Sequence, residues 1–296
     1  MSATSAVSKL DTLITTNPEW TAWLCVVREV AAELSSPSWD ANPPRTAVTS
    51  DLTPLLAGAG LRPDDRAVSR LLDRLIGVAR AQDLHVLAGN VEHAQEKSSD
   101  GALAVFLAAV NDDHAALELR ASRTGASPEG LRALAQLLPM PYLHACARRW
   151  AASYGPHWSQ GYCPVCGAWP AFAELRGVER ARHLRCGRCG AGWPMPVLAC
   201  TYCATTDHEI LSTLVVDDKK SRFALDVCRG CSGYLKSYTT LQATPTDEVL
   251  ATDLASVEFD IAAIDRGFLK PSGPGVELRA SLAVADPAPP FAQRKF

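Results

Sequence analysis

Eight of the ten cysteines in this 296-residue sequence fall within 69 residues and form four Cys-x-x-Cys pairs. In chain order the pairs are Cys163/Cys166, Cys186/Cys189, Cys200/Cys203 and Cys228/Cys231. A two-residue gap lets both sulfurs of a pair reach one ion. A second pair from another hairpin can then complete a tetrahedron with about 2.3 Å from the ion to each sulfur. The pattern predicts two metal sites, each with four thiolate ligands.

The order of the pairs leaves two groupings. Sequential grouping puts 19 residues between the first two pairs and 24 between the last two. The first spacing lies inside the range typical of zinc ribbons, and the second is slightly longer. We prefer this grouping to an interleaved cross-brace, in which the first pair would join the third. A single pair could equally be a thiol redox centre, but four in succession favour metal binding over tandem redox disulfides.

All four ligands of each predicted site come from the protein, so no position is left for a substrate, as a hydrolytic zinc centre would need. Tetrahedral sulfur suits zinc or iron, and the sequence does not separate them. His157, His183 and His208 lie near the cysteines but have no ligand place to fill, so we expect surface or supporting roles. Cys25 and Cys146 stand alone in apolar helical patterns and are expected to be inert buried thiols.

Helical periodicity dominates the first 155 residues. Apolar residues recur at helical spacing near 18–34, 64–83, 103–120, 128–138 and 141–153. Ser127 is the expected N-cap of the fourth stretch, with Pro128 at its first helical position. A proline-rich segment at 37–54 predicts an irregular connection.

After residue 160 the helical period is lost, and short β-like runs alternate with turns. Such ribbons have too little apolar core to fold unaided, so bound metal would supply the missing free energy. The predicted organisation is a helical domain at 1–155, metal ribbons at 156–195 and 196–240, a C-terminal helix packing on the core within 241–270, and a loosely ordered tail at 271–296. The fold class is α+β.

Five segments of the second half resemble the FdhE family of formate dehydrogenase accessory proteins. They are Cys-Pro-Val-Cys-Gly-Ala-Trp-Pro at 163–170, Arg-His-Leu-Arg-Cys-Gly-Arg-Cys-Gly-Ala-Gly-Trp at 182–193, Cys-Thr-Tyr-Cys at 200–203, Val-Cys-Arg-Gly-Cys-Ser-Gly-Tyr-Leu-Lys at 227–236, and the helix-like run 253–267. The resemblance covers about 110 residues. One departure is Ala204, which follows the third pair where the family has glycine; no ligand is lost.

The resemblance implies a cytoplasmic helper and not an enzyme. Its implied fold joins a helical domain to two rubredoxin-like metal folds, with iron favoured over zinc. The implied partner is the catalytic subunit of formate dehydrogenase, before that subunit is exported or assembled. Membrane insertion is not expected, and the sequence leaves the oligomeric state open.

Two other functions compete with this one. A tetrathiolate iron could serve a one-electron carrier, but such a carrier would not need about 155 helical residues. A nucleic-acid-binding zinc-ribbon protein would need a positive surface. Residues 161–236 hold ten Lys/Arg and seven Asp/Glu, and eight thiolates with two divalent ions add -4, so +3 becomes -1. A small arginine cluster at 176–188 could bind phosphate, screen thiolate charge or meet an acidic partner.

The net charge, the apolar runs and the N-terminal residues agree with the function that the resemblance implies. The formal net charge is -3, and no run approaches the roughly 18 apolar residues of a membrane span. The N-terminus lacks the charged start and apolar stretch of a secretory signal, which favours a reducing compartment. No P-loop, Gly-x-Ser-x-Gly or His-Glu-x-x-His motif is present.

Overall fold

The computed structural model describes residues 5–45, 52–84, 100–151, 158–215 and 222–283. A helical N-terminal region leads into a mixed sheet that carries the cysteine pairs, and short helices follow the sheet. The predicted α+β fold class is confirmed. Among the described residues, no helix combines the length and hydropathy needed to cross a lipid bilayer.

The helical region contains seven α-helices among its described residues. They are α1 (Ser5–Thr16), α2 (Thr21–Ala31), α3 (Asp65–Ala81), α4 (Asp100–Val110), α5 (His114–Thr124), α6 (Pro128–Leu137) and α7 (Met140–Trp150). Ser127 is the N-cap of α6, as predicted, and its hydroxyl accepts from the Gly130 N–H. The single stretch expected at 103–120 is two helices, because Asp112 takes a left-handed conformation and Asp113 caps α5.

One six-stranded sheet holds both cysteine-rich halves. Its strands are β2 (Phe172–Arg176), β3 (Ala181–Arg185), β4 (Gly192–Pro194), β5 (Leu211–Val215), β6 (Phe223–Cys228) and β7 (Gly233–Thr240). The strand order is β4-β3-β2-β7-β6-β5, and β2 pairs in parallel with β7 from Phe172↔Lys236 to Arg176↔Thr240. The two predicted ribbons therefore share one hydrogen-bond ladder. The pairing satisfies backbone groups that two separate ribbons would leave open at their edges.

Charged side chains are buried beside this junction. Glu174 on β2 has no exposed surface, and Arg185 and Arg176 bind its carboxylate at 3.3 and 2.5 Å. Lys236 on β7 is equally buried and donates to Asp260 at 2.6 Å. These groups are costly to bury alone, so the pairs stabilise the junction only as complete sets.

The C-terminal part departs from two expectations. The single C-terminal helix expected within 241–270 is two helices, α8 (Val249–Leu254) and α9 (Val257–Ile264), separated by two residues. The tail expected to be loose from residue 271 instead packs on the helical region as far as residue 283. Its strand β8 (Ser281–Leu282) pairs in parallel with β1 (Gly60–Leu61). Leu278 is buried, and the amide of Asn111 exchanges two hydrogen bonds with the backbone of Ala280. Residues 284–296 lie outside the described part.

Candidate metal centres

The first cysteine cluster lies between the helical region and the sheet. Cys163 and Cys166 precede β2, and Cys186 and Cys189 follow β3. Sulfur–sulfur separations are 3.5 Å for Cys163–Cys189, 3.5 Å for Cys166–Cys186 and 3.7 Å for Cys166–Cys189. All four residues have no exposed surface and belong to the main hydrophobic core.

The second cluster lies at one end of β6 and β7. Cys228 ends β6, Cys231 occupies the turn before β7, and the Cys200–Cys203 loop folds against them. The sulfur–sulfur separations are 3.6 Å for Cys200–Cys231 and 3.8 Å for Cys203–Cys228. Cys203 and Cys231 are exposed, whereas the other two cysteines are buried.

Both clusters have the dimensions of a tetrathiolate site. Within each cluster the four sulfurs lie within 4.8 Å of one another. A tetrahedron with 2.3 Å metal–sulfur bonds has edges of about 3.8 Å, close to the observed separations. The grouping is the sequential one, and the cross-brace is not adopted. Each cluster could therefore hold one metal ion.

The same backbone turn follows each Cys-x-x-Cys pair. The next residue is left-handed in all four cases: φ is +66° at Gly167, +71° at Gly190, +57° at Ala204 and +55° at Ser232. In the first three turns its N–H donates to the carbonyl of the first cysteine. Ala204 thus adopts the conformation that glycine favours, at some cost in strain, so its turn is the same despite the different residue.

Each cluster holds one thiol whose pKa is lowered. In the first cluster, burial raises the pKa of the Cys163 and Cys189 thiols, whereas hydrogen bonds from its three neighbouring thiols hold the pKa of Cys166 well below the usual value. In the second cluster, burial raises the pKa of the Cys200 and Cys231 thiols. Burial also acts on Cys228, but the N–H groups of Cys231 and Gly230 bring its pKa below the usual value. Both clusters therefore favour one thiolate without an ion, and a bound cation would favour the others.

The arginine cluster at 176–188 is mostly used inside the protein. Arg182 and Arg185 are buried, and both donate to backbone carbonyls. Arg176 binds Glu174, and Arg188 donates to the carbonyl of Ala109 at 2.8 Å, which ties the first cluster to α4. Of the five, Arg180 alone is exposed, so this set does not form a phosphate-binding surface.

None of the three histidines considered from sequence joins a cluster among the described residues. His183 is half-buried on β3, His208 is exposed, and His157 lies outside the described residues. The sequence did not single out His144, whose buried ring packs against Gly190. Burial lowers the pKa of His144 to about 3, so the ring is neutral. The position of His144 on the apolar face of α7 could have predicted that its ring is buried. It could not have predicted the contact with Gly190.

Cys25 and Cys146 lie outside both clusters. Cys146 is buried on α7, and burial raises the pKa of its thiol. Cys25 is half-buried on α2. The expectation of a buried thiol holds for Cys146 and in part for Cys25.

The two clusters touch through their loops. Tyr162, beside Cys163, packs edge-on against Trp169, and Trp169 packs edge-on against Tyr202. The backbone at Gly161 lies so close to Thr201 that an added Cβ would meet its carbonyl oxygen at 1.7 Å. The loop of the second cluster is thus built against the loop of the first.

Comparisons of sequence and of fold with known proteins both find FdhE proteins. No family model matches the chain. The FdhE homolog of Haemophilus influenzae (strain PittEE) is 30% identical over 129 residues, which are 40% of this chain and 42% of that protein. The FdhE homolog of Stutzerimonas stutzeri (strain A1501) is 31% identical over 112 residues, 37% of this chain and 36% of that protein. The crystal structure of the FdhE protein from Pseudomonas aeruginosa aligns over 92% of this chain and 94% of that chain, with a TM-score of 0.50 and 21% identity.

In sequence, this chain is similar to FdhE proteins over part of its length. The sequence matches span about two fifths of the length of the curated FdhE relatives. The likeness to the Pseudomonas aeruginosa FdhE structure extends over most of both chains and, at its low identity, concerns the fold alone. The five sequence segments and the partial matches to curated FdhE relatives thus point to the same family.

Proposed function

We propose that this chain is a cytoplasmic accessory protein, not itself an enzyme, that is required to mature or assemble active formate dehydrogenase. In this proposal it binds the catalytic subunit of that enzyme. The carrying observation is the similarity to several FdhE proteins at about 30% identity, together with two four-cysteine clusters. The fold likeness to the FdhE of Pseudomonas aeruginosa adds support.

We propose that all eight clustered cysteines are metal ligands, giving two ions per chain. The ions would draw four segments of chain into fixed turns and so supply folding free energy. Iron is favoured by the family resemblance, and zinc fits the same sulfur geometry. With four protein ligands per ion, these clusters suit a structural or one-electron role better than hydrolysis.

A shared core and a shared sheet would give this helper a preformed surface for binding. The first cluster is continuous with the helical core, and the shared sheet carries the second. A client could therefore meet a surface whose shape is fixed before contact, which reduces the ordering cost of binding.

One observation favours a second function, one-electron transfer. The rings of Tyr162, Trp169 and Tyr202 lie in contact between the two clusters, and Cys203 and Cys231 reach the surface. A reversible iron couple together with normal formate dehydrogenase activity in a deletion strain would favour the carrier.

The proposed function is tested by deleting the gene. Formate dehydrogenase activity should be lost while its catalytic polypeptide is still made, because a helper acts after synthesis. Tagged wild-type protein should recover that polypeptide from extract, with two metal ions per chain in the same sample. Full dehydrogenase activity in the deletion strain would rule out the accessory role.

A further inference from the structure

The described residues leave one face of the sheet open beside the second cluster. Alternate residues of β5, β6 and β7 share this face, since Thr213 pairs with Asp226 and Asp226 pairs with Leu235. Together with the loop 197–202 they line a cavity of about 520 Å³, hereafter the sheet groove. On the opposite face of these strands, Phe259 of α9 packs against Leu225 and Val227. Within the described part of the chain, the sheet is thus covered by a helix on one side and left open on the other.

Apolar side chains surround the groove. Val197, Leu198 and Val215 line it and are 58%, 66% and 76% exposed. Large side chains this exposed are unremarkable when scattered, but clustered around one cavity they mark a surface that binds a partner. The groove is therefore a candidate docking surface.

The edge strand of the sheet favours a partner in extended conformation. β5 is the outermost strand on this side of the described sheet and pairs only with β6 there. A strand edge presents backbone N–H and C=O groups that an extended peptide can join as a further strand, whereas a helix has none to spare. An extended segment also places alternate side chains on one face, towards the groove.

The charged residues of the groove determine which side chains of a partner would fit there. Asp226 on the groove floor accepts from the hydroxyls of Thr213 and Ser237, and its side chain is 29% exposed. Arg182 reaches Asp226 only at 3.4 Å and makes shorter bonds, at 3.1 Å, to two backbone carbonyls.

The second cluster adds to this negative charge, because Cys200 and Cys228 also line the groove. With a divalent ion bound, the four thiolates would carry a net -2, and two of those thiolates line the groove. Asp226 offsets Arg182, so the interior of the metal-loaded protein would be negative. The exposed mouth residues Arg180, Arg222 and Glu179 sum to +1. A cationic side chain fits the interior.

We propose that the sheet groove binds an extended segment of a client polypeptide, laid along β5, with apolar residues against the rim and a Lys or Arg in the interior, where it faces Asp226 and the second cluster. The identity of the client rests on the proposed function, but the groove and its chemistry do not.

A synthetic peptide tests the groove without any client. The probe is fluorescein-labelled Val-Thr-Lys-Thr-Val-Thr-Lys-Thr, which places Val and Lys on one face of an extended strand, and binding to the metal-loaded full chain is followed by fluorescence anisotropy. A second probe carries Glu in place of Lys, and a third carries Pro in place of Thr, which interrupts a ladder. We expect the Lys probe to bind at least tenfold more tightly than either control, with a Kd that rises with salt.

Protein variants locate the site. Leu198→Lys and Val215→Lys should each weaken the Lys probe at least tenfold, because both remove an apolar contact at the rim and place there a charge that repels the Lys probe. Leu119→Lys is the matched control, since Leu119 is 60% exposed on α5 and does not line the groove. All three should keep two metals and a wild-type melting temperature, because all three positions are exposed.

The possible outcomes distinguish failure of the groove proposal from failure of the proposed accessory function. Failure of the Lys probe to bind wild-type protein, or equal binding by the Leu198→Lys and Val215→Lys variants, overturns the proposal. A dimer in analytical ultracentrifugation that Leu198→Lys dissociates would make a second copy the occupant and also overturn it. If the dehydrogenase subunit binds wild-type and both rim variants equally, the client docks elsewhere and the accessory role stands. If the Lys probe binds but the subunit does not, the groove stands and the accessory role loses its partner.

Discussion

The indole of Trp169 meets the ring of Tyr202 edge-on, with 5.2 Å between centroids and 78° between ring planes. Trp169 follows the first Cys-x-x-Cys pair by three residues, and Tyr202 lies inside the third. Tyr202 also donates from its hydroxyl to the carbonyl of Tyr234 on β7. One contact thus joins the first cluster, the second cluster and the shared sheet, so a disturbance at one cluster should reach the other.

The closest approach between the cluster loops gives a direct test. Gly161→Ala would place a methyl group against the Thr201 carbonyl, where the nearest atom is backbone and cannot rotate away. We expect a loss of about 1–3 kcal/mol in the free energy of unfolding, as for other overpacked sites. Metal should also leave the second cluster faster. Urea unfolding and metal analysis measure the two effects.

Gly77→Ala is the control for that substitution. Gly77 lies within α3, and an added Cβ would meet nothing within 4 Å. Alanine there should stabilise the protein by roughly 0.5–1 kcal/mol, since glycine loses more backbone entropy in a helix. Equal effects of the two substitutions would refute the close contact between the loops.

The exposure of the two clusters predicts an order of metal loss. A chelator should empty the second cluster first, because Cys203 and Cys231 are exposed whereas every first-cluster cysteine is buried. Alkylation followed by mass spectrometry should label Cys203 and Cys231 early, and Cys163 and Cys166 only on unfolding. Cys146, buried and outside both clusters, serves as the internal reference. Simultaneous labelling of both clusters would contradict this order.

Loss of a ligand should have unequal consequences. Cys163→Ser and Cys228→Ser should each remove one metal ion per chain and loosen the segment 161–236. Cys163→Ser should lower stability further, because its cluster lies in the core shared with the helices. Metal analysis and limited proteolysis distinguish the two variants. Cys25→Ala and Cys146→Ala should keep both metals, with only a packing cost at Cys146.

The buried carboxylate at the strand junction should make stability depend on pH. Burial alone would raise the pKa of Glu174, but Arg185 and the Thr244 N–H hold it below its usual value. A carboxylate with a folded pKa below its unfolded one, about 4.3, stabilises the protein above that pH. This stability is lost as pH falls towards the folded pKa.

Glu174→Gln should therefore reduce the acid dependence and cost about 3–5 kcal/mol at neutral pH, because Arg185 would remain buried without a counter-charge. Urea unfolding of wild type and variant between pH 7 and the acid limit of folding gives both quantities. Glu118→Gln is the control, since Glu118 forms an exposed ion pair with Arg132 and should change stability by less than about 1 kcal/mol. If the free energy of unfolding varied with pH identically in wild type and Glu174→Gln, Glu174 would not be the source of the acid dependence.

The cysteine spacing alone predicted the two clusters. A two-residue gap fixes how far apart two sulfurs can lie, so Cys163 and Cys166 share a turn whatever surrounds them. Helical periodicity and capping chemistry likewise located α3 and the start of α6 at Ser127, because both depend on neighbours within one turn.

Tertiary structure decided what connects these local units. The parallel ladder between β2 and β7 joins residues more than 60 positions apart, and the Gly161–Thr201 contact spans 40. The return of Leu278 and β8 to the helical region is equally remote in sequence. No periodic pattern records such pairings, since each depends on which backbone edges and apolar faces remain unpaired after local folding. The same reason explains why the first cluster is buried and the second is half-exposed. Both have the same Cys-x-x-Cys pairs, but the first packs against the helical core, whereas two cysteines of the second face solvent.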